Sequence, residues 1–173
     1  MRKILVVVDM QKDFIDGSLG TKEAQAIVPL AVKKIKSYPI ENVYVTKDTH
    51  GENYMETSEG KHLPVEHCIK GTPGWGLDAR IEAVTQGGYM IEKPTFGSIE
   101  LMELLKSENE KEELEIEVIG LCTDICVVSN ALLLKAAMPE NRIRVDASCC
   151  AGVTPESHEA ALTTMKMCQI EVE

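Results

Sequence analysis

The sequence predicts an α/β fold, in which helices cover both faces of a mostly parallel central sheet to form a three-layer α/β/α sandwich. Short β-branched runs alternate along the chain with helical patterns, and this alternation implies right-handed crossovers between parallel strands. The first run, Ile4 to Val8, is apolar at every position, as is typical of a strand covered on both faces. Because 173 residues suit one hydrophobic core, residues 1–173 are expected to form a single domain.

Apolar periodicity and turn residues place the individual elements. Strands are predicted over residues 4–8, 42–46, 89–91, 114–119, 143–146 and 169–172. Helices are predicted over residues 29–38, from 98 onward, over 123–137 and over 155–167. Ser98 and Thr154 are the expected N-caps of their helices.

Three details of this layout are specific expectations. Pro29 is interpreted as the first residue of its helix, a position that suits proline. The buried face of that helix is expected to contain Ile27, Leu30, Ala31 and Ile35. The stretch Ser107–Glu115 is expected to be a solvated connection, and His158 a surface residue without a role.

Charge and composition narrow the class of protein. The chain has 18 basic and 28 acidic side chains, a formal net charge of −10, which disfavours nucleic acid and membrane surfaces as partners. No apolar run approaches the ~20 residues needed to cross a bilayer, and Ile4–Val8 is too short for a signal-peptide core. We therefore expect a cytoplasmic protein with reduced cysteines that acts on a small molecule, and the sequence leaves a homo-oligomer open.

One segment, Asp48–Asp78, interrupts the alternation and contains three of the four histidines. A loop of that length inside a compact domain is usually functional. In an open parallel sheet, ligands bind beyond the carboxyl ends of the strands. The polar residues at or just past predicted strand ends include Asp9, Asp48, Lys93 and the segment that contains Cys126. Four separate pieces of chain can therefore converge on one crevice.

Cys126 is the candidate nucleophile. If Thr123 caps the following helix, the thiol lies in the first helical turn, where free N–H groups and the helix dipole favour a thiolate. The same N–H groups could hold an oxyanion. The residues alone also allow a buried structural cysteine. A redox or metal role for Cys122 and Cys126 is disfavoured, because their spacing matches neither pattern.

Asp9 and Lys93 are candidates for proton transfer. Taken alone, Asp9 suits a turn and Lys93 suits the surface. A carboxylate at the end of a buried strand, however, is costly unless it is paired. Beside Cys126, the ammonium of Lys93 would lower the pKa of the thiol, and the carboxylate of Asp9 could take its proton and later pass it to a leaving amine.

The segment Asp48–Asp78 also offers metal ligands. Asp48 and His50 are two residues apart, so both side chains point the same way in extended chain. His67 follows, and the residues between them include Glu56, Glu59 and His62. Such a mixed oxygen and nitrogen set would suit a divalent ion, Zn²⁺, Mn²⁺ or Fe²⁺, with positions open to water. Solvated loop side chains are the alternative.

Five motifs occur along the chain in a fixed order. They are Val8–Phe14, Lys47–His50, Glu66–Thr72, Lys93–Phe96 and Gly120–Cys126. Together they resemble the isochorismatase-like cysteine hydrolases, and within them the nicotinamidase/pyrazinamidase group. The likeness extends over nearly the whole chain, and it implies a Rossmann-like α/β/α domain.

The resemblance also implies site residues. The implied catalytic triad is Asp9, Lys93 and Cys126, the implied oxyanion hole is formed by the N–H groups of Cys122 and Cys126, and Phe14 is a wall of the substrate pocket. A non-proline cis peptide is implied at Leu121–Cys122. The implied metal ligands are Asp48, His50 and His67, with a fourth that we assign to Glu59, for which Glu56 and His62 are rivals.

The reaction implied is the hydrolysis of nicotinamide to nicotinate and ammonia through a thioester, with the metal ion orienting the ring nitrogen. Two alternatives stay open. One is a related cysteine amidase that acts on another small amide or carbamoyl compound. The other is a non-catalytic binding protein of the same fold.

Overall fold

A computed structural model describes residues 1–173. The strands are β1 (Arg2–Val8), β2 (Val43–Asp48), β3 (Tyr89–Lys93), β4 (Leu114–Leu121), β5 (Ile143–Ala151) and β6 (Glu171–Val172). The α-helices are α1 (Lys12–Ile15), α2 (Lys22–Ile35), α3 (Ser58–His62), α4 (Ala79–Thr85), α5 (Ile99–Lys111), α6 (Val128–Ala137) and α7 (Pro155–Met167). A π-helical turn, Thr123–Val127, precedes α6.

The six strands form one sheet in the order β3-β2-β1-β4-β5-β6, and all neighbouring pairs are parallel. The chain moves outward from β1 to β3 and then crosses back to β4 on the other side of β1. Strand order therefore reverses between β1 and β4, and a ligand crevice is expected beyond their carboxyl ends.

Alternate side chains of β1 belong to two different hydrophobic cores. Ile4 and Val6 pack with buried residues of α5, α6 and α7 on one face of the sheet. Leu5 and Val7 pack with residues of α1, α2 and α4 on the other face. The predicted three-layer α/β/α sandwich is confirmed, and its sheet is parallel throughout.

The predicted helix over residues 29–38 is wrong in its bounds. Thr21 caps α2 by accepting a hydrogen bond from Ala24 N at 3.0 Å, so Pro29 lies inside the helix. An interior proline costs about 3 kcal/mol, and burial of one apolar face offsets that cost. The buried residues are Ala24, Ile27, Val28, Ala31 and Ile35. Leu30, predicted to be buried, is exposed.

The stretch Ser107–Glu115 is mostly regular structure rather than a solvated connection. Helix α5 continues to Lys111, where Glu108 pairs with Lys111 at 2.7 Å and with Arg2 at 2.8 Å. Strand β4 then begins at Leu114, and Glu115 is buried beside two arginines. The ion pairs between distant segments, Arg2 with Glu108 and the two arginines with Glu115, leave no periodic signal in the sequence.

The segment Asp48–Asp78 is also more regular than predicted. It contains the short helix α3 and two 3₁₀ turns, Tyr54–Glu56 and Pro73–Trp75. Thr57 caps α3 by accepting a hydrogen bond from Gly60 N at 3.0 Å. None of the helices meets the length and hydropathy needed for a membrane span.

Gly120 allows β1 and β4 to approach each other closely just below the crevice. Its φ is +123°, and it pairs with Val8 at the end of β1. A Cβ at this position would lie 2.1 Å from the carbonyl oxygen of Val8. Only glycine fits here, and the close approach sets the separation of the chain segments that follow Val8 and Leu121.

We expect Gly120→Ala to lower the free energy of unfolding by roughly 3 kcal/mol, because the methyl group combines a positive φ with a backbone clash. Urea denaturation measures the change. Gly71→Ala is the matched control, since Gly71 has a φ of +86° with nothing within 4 Å of the added Cβ, and its expected cost is about 1 kcal/mol. Equal costs at the two positions would contradict the role of the close approach.

Candidate active site

Asp9 is the first polar residue beyond β1 and is fully buried. Its φ of +48° turns the chain out of the strand, a conformation that aspartate tolerates better than most residues. Thr46, on the neighbouring strand β2, donates a hydrogen bond from its hydroxyl to Asp9 Oδ1 at 2.7 Å. The carboxylate is therefore fixed in place by two adjacent strands.

Lys93, the last residue of β3, lies at the centre of the site with its side chain fully buried. Its Nζ is 2.6 Å from Asp9 Oδ2 and 3.3 Å from Asp48 Oδ1. The same nitrogen donates to the carbonyl oxygen of Thr95 at 3.0 Å and lies 3.4 Å from Cys126 Sγ. The long lysine side chain thus connects the outermost strand on this side of the sheet to the crevice beside β1.

The charges around Lys93 keep it an ammonium. Burial alone would lower its pKa, but the Asp9 carboxylate, the Cys126 sulfur and the Asp48 carboxylate raise it above the ordinary value. A buried cation is tolerated here because two carboxylates compensate its charge.

The surroundings of Cys126 oppose the thiolate that is expected from the helix start. Burial, followed by the charge of Asp9, raises the pKa of Cys126 well above the usual range, and the opposing effect of Lys93 is smaller. The Asp9 carboxylate and the Cys126 thiol both contact Lys93 Nζ, at 2.6 Å and 3.4 Å, so Asp9 is the candidate acceptor for the thiol proton.

The turn that contains Cys126 is π-helical, and Cys122 rather than the predicted Thr123 is its N-cap. The carbonyl oxygen of Cys122 accepts hydrogen bonds from Ile125 N at 3.1 Å and Val127 N at 3.0 Å. An α-helical turn would use Cys126 N for this carbonyl. The π-turn therefore leaves the Cys126 N–H out of that bond, next to its own sulfur. The Leu121–Cys122 peptide is cis, as the resemblance implied.

A second cluster, called the imidazole–carboxylate cluster below, lies beside Lys93. Its members are Asp48 at the end of β2, His50, Glu59 on α3 and His67, each with one donor atom within 4.8 Å of the others. Asp48 Oδ2 is 2.9 Å from His50 Nε2 and 3.5 Å from His67 Nε2. Glu59 Oε1 is 3.7 Å from His50 Nε2 and 3.5 Å from His67 Nε2.

These separations fit a divalent cation. Four ligands at about 2.1 Å from a tetrahedral ion would be roughly 3.4 Å apart, which matches the spacing of the cluster. Two imidazoles and two carboxylates also suit the divalent ions predicted from the sequence. The two rival ligands lie outside this cluster: Glu56 is exposed, and His62 is exposed with its Nδ1 2.8 Å from Ser58 O.

Contacts behind the cluster orient its members. Gln11 brackets Asp48, since its Oε1 accepts from Asp48 N at 2.7 Å and its Nε2 donates to Asp48 O at 2.9 Å. His67 Nδ1 lies 2.8 Å from Val65 O, so this nitrogen carries the proton and Nε2 faces the cluster. Gln11, Thr46 and Val65 were not found from the sequence, because each acts through a contact between distant segments.

Both clusters open into one cavity of about 630 Å³. Cys122 and Cys126 line one side, and Asp48, Glu59 and His67 line another. The predicted wall residue Phe14 is among the lining residues, and its ring centroid is 5.5 Å from that of His67. A small molecule in the cavity can thus face the thiol and the imidazole–carboxylate cluster together.

Comparison with known proteins places the chain in a family. Residues 3–173 match the isochorismatase domain model. The chain is 30% identical to the nicotinamidase/pyrazinamidase of Mycobacterium tuberculosis over 98% of this chain and 97% of the relative. The chain belongs to the isochorismatase family, and its relatives place it among the hydrolases of that family that act on amide bonds.

Two solved structures share this architecture. One is a pyrazinamidase of Pyrococcus horikoshii in complex with zinc, with a TM-score of 0.82, 25% identity, and coverage of 100% of this chain and 99% of that one. The other is an N-carbamoylsarcosine amidase from Thermoplasma acidophilum, with a TM-score of 0.79, 26% identity, and coverage of 100% and 96%. The family predicted from the five motifs is confirmed.

We expect His67→Ala and Glu59→Gln to weaken zinc binding by at least about tenfold, because each removes a donor atom from the cluster. Equilibrium dialysis of the metal-stripped protein against Zn²⁺ measures the affinity. The matched controls are His62→Ala and Glu56→Gln, which remove the same chemical groups outside the cluster. A loss of affinity in a control equal to that in its partner would contradict the ligand set.

We expect Asp9→Asn to make Cys126 react faster with iodoacetamide at pH 7, by about tenfold for each unit by which the pKa of the thiol falls. The Asp9 charge raises that pKa and Lys93 lowers it, so removal of the carboxylate increases the thiolate fraction. Mass spectrometry between pH 6 and 10 follows Cys126 separately from the other cysteines.

Asp16→Asn, which removes an exposed carboxylate, is the control for net charge. An alkylation profile of Asp9→Asn that coincides with that of the unaltered protein would show that Asp9 does not govern the thiol.

Proposed function

We propose that this protein is a cysteine-dependent amidase that hydrolyses nicotinamide to nicotinate and ammonia. The observation that carries the proposal is the position of Lys93 Nζ, 2.6 Å from Asp9 Oδ2 and 3.4 Å from Cys126 Sγ. Cys126 lines the same cavity as three members of the imidazole–carboxylate cluster, Asp48, Glu59 and His67. A nucleophile, a base and a cation in contact are what covalent amide hydrolysis requires.

In the proposed reaction, Asp9 takes the thiol proton while the sulfur of Cys126 attacks the carboxamide carbon. The N–H groups of Cys122 and Cys126 are proposed to hold the oxyanion that forms. Asp9 then gives the proton to the leaving nitrogen, and ammonia departs as the C–N bond breaks. Water, deprotonated by Asp9, cleaves the thioester to release the carboxylic acid and restore the thiol.

In this scheme Lys93 contributes its positive charge and transfers no proton. Its ammonium stays close to the sulfur and to Asp9 throughout, so it stabilises whichever of the two is anionic. Asp48, His50, Glu59 and His67 are proposed to hold a divalent metal ion, which when bound would supply a Lewis-acidic position for the ring nitrogen of the substrate. Phe14 is proposed to contact the ring from the opposite wall.

The lining of the cavity favours a neutral amide. The lining residues include two carboxylates and two histidines but no lysine or arginine, and most of the rest are apolar. A carbamoyl amino acid has a carboxylate that would need a cationic side chain in such an apolar site, since the metal ion is assigned to the ring nitrogen of the substrate. The likeness to an N-carbamoylsarcosine amidase keeps carbamoyl compounds as the second candidate class, whereas this charge distribution supports nicotinamide.

A panel of small amides tests the proposal. We expect ammonia release to be fastest from nicotinamide or its pyrazine analogue and at least about tenfold slower from a carbamoyl amino acid. Cys126→Ala should lower release at least a thousandfold, because no covalent intermediate can form. Chelation of the metal should raise the KM for nicotinamide more than it lowers kcat.

Cys122→Ala is the matched control, since it removes a neighbouring thiol but keeps the backbone N–H. Faster release from a carbamoyl amino acid than from nicotinamide would assign the alternative substrate class. Release that persists in Cys126→Ala would end the covalent mechanism.

A further inference from the structure

A hydrogen bond joins the π-helical turn Thr123–Val127, which contains Cys126 and is called the nucleophile turn below, to helix α7. Thr123, the first residue of the π-turn, is fully buried, and its Oγ1 lies 2.8 Å from His158 Nδ1. This contact is the only side-chain hydrogen bond of Thr123. His158 is half-buried on the first turns of α7, so the predicted surface residue is instead packed against the turn that contains Cys126.

The π-turn has no side-chain cap of its own. No side chain accepts a hydrogen bond from its first N–H groups, and Cys122 at the N-cap supplies only backbone. A helix start without a cap depends on tertiary contacts for its position. At its other end, Asn130 Nδ2 donates to the carbonyl oxygen of Cys126 at 2.8 Å. Thr123 and Cys126 are thus held by contacts with two different helices, α7 and α6.

His158 is itself held in a fixed position. Thr154 and Ser157 form a capping box at the start of α7, and Pro155 occupies the first helical position. Gly152 packs so closely against α7 that an added Cβ would lie 2.9 Å from both the N and the Cβ of His158. A histidine that is held in this way can fix the position of the residue it contacts.

A second hydrogen bond joins the same region of the chain to the nucleophile turn. Both carboxylate oxygens of Asp124 lie 3.2 Å from the N–H of Val153, which donates to them. Two consecutive residues of the nucleophile turn are therefore contacted, Asp124 by the loop between β5 and α7 and Thr123 by α7 itself. Gly152 and Val153 also line the cavity, but His158 does not.

We propose that His158 is a positioning residue for Cys126. Through the hydroxyl of Thr123, it fixes the start of the π-turn, and with it the thiol and the N–H groups that would face an oxyanion. His158 does not touch the substrate and takes no part in proton transfer. The proposal rests on the proposed function for its kinetic consequence, but the position of the thiol can be tested without turnover.

A double-mutant cycle tests the contact. His158→Leu and Thr123→Val each remove one partner and keep similar volume. Each should lower kcat by about tenfold and leave KM within twofold, since the residues proposed to bind the ring, the metal ligands and Phe14, lie on other segments. The double variant should be no slower than the slower single variant, because both changes remove the same bond. His158→Asn, whose amide can reach Thr123, should recover most of the rate, and the exposed neighbour provides the control Glu159→Leu.

A second measurement separates this proposal from the proposed function. Pyridine-3-carboxaldehyde reacts reversibly with a thiol: the S–C bond forms, and the thiol proton passes to the former carbonyl oxygen. Its dissociation constant reports how the sulfur and the oxyanion donors are placed, with Cys126→Ala as the blank. We expect about tenfold weaker binding in both single variants, with thermal melting within a few degrees of the unaltered protein.

The outcomes are distinguishable. If no amide is hydrolysed but the aldehyde binds, and both variants weaken that binding, then the proposed reaction is wrong and the positioning role of His158 stands. Values of kcat and aldehyde affinity within twofold of the unaltered protein in His158→Leu would overturn the positioning role. Single effects that multiply in the double variant would do the same, because the two residues would then act separately.

Discussion

The buried ammonium of Lys93 is the constraint on which the site depends. It lies between the carboxylates of Asp9 and Asp48, which come from the ends of two adjacent parallel strands. Two carboxylates without a cation could not both stay ionised at such depth. The edge strand β3 supplies that cation, because the side chain of its last residue reaches across β2. Strands β1, β2 and β3 therefore each contribute one of the three charged groups, Asp9, Asp48 and Lys93.

Asp48 links the two functional clusters, since its two oxygens face different partners. Oδ1 is 3.3 Å from Lys93 Nζ, and Oδ2 is 2.9 Å from His50 Nε2. One carboxylate therefore fixes the distance between the group formed by Asp9, Lys93 and Cys126 and the imidazole–carboxylate cluster. Gln11 holds the backbone of Asp48 from both sides, and a shift of that residue would move both clusters together.

Sequence reasoning succeeded where the signal is local and failed where it is tertiary. The start of α7 at Pro155 follows from the residues Thr154 and Pro155, and the end of β1 follows from an apolar run that stops at Asp9. Strands β2, β3, β4 and β5, however, continue two to five residues beyond their predicted ends, because ladder pairing with neighbouring strands extends them past the apolar runs. The interior position of Pro29 could not be seen, because burial of the opposite face of α2 outweighs the proline cost. The π-turn before α6 and the contact of His158 likewise depend on packing between segments far apart in the chain, and the resemblance rather than any spacing selected Glu59.

The environments of Asp9 and Asp48 differ in a way that supports their proposed roles, proton transfer for Asp9 and metal binding for Asp48. Burial raises the pKa of Asp9, and the attraction of Lys93 only partly opposes that rise. Burial acts on Asp48 as well, but its close contacts with His50 and His67 and the charge of Lys93 hold its pKa below the usual value. These environments support the proposed roles, in which Asp48 is a metal ligand and Asp9 accepts and returns a proton. The same lysine serves both carboxylates, and the histidines around one of them separate the roles.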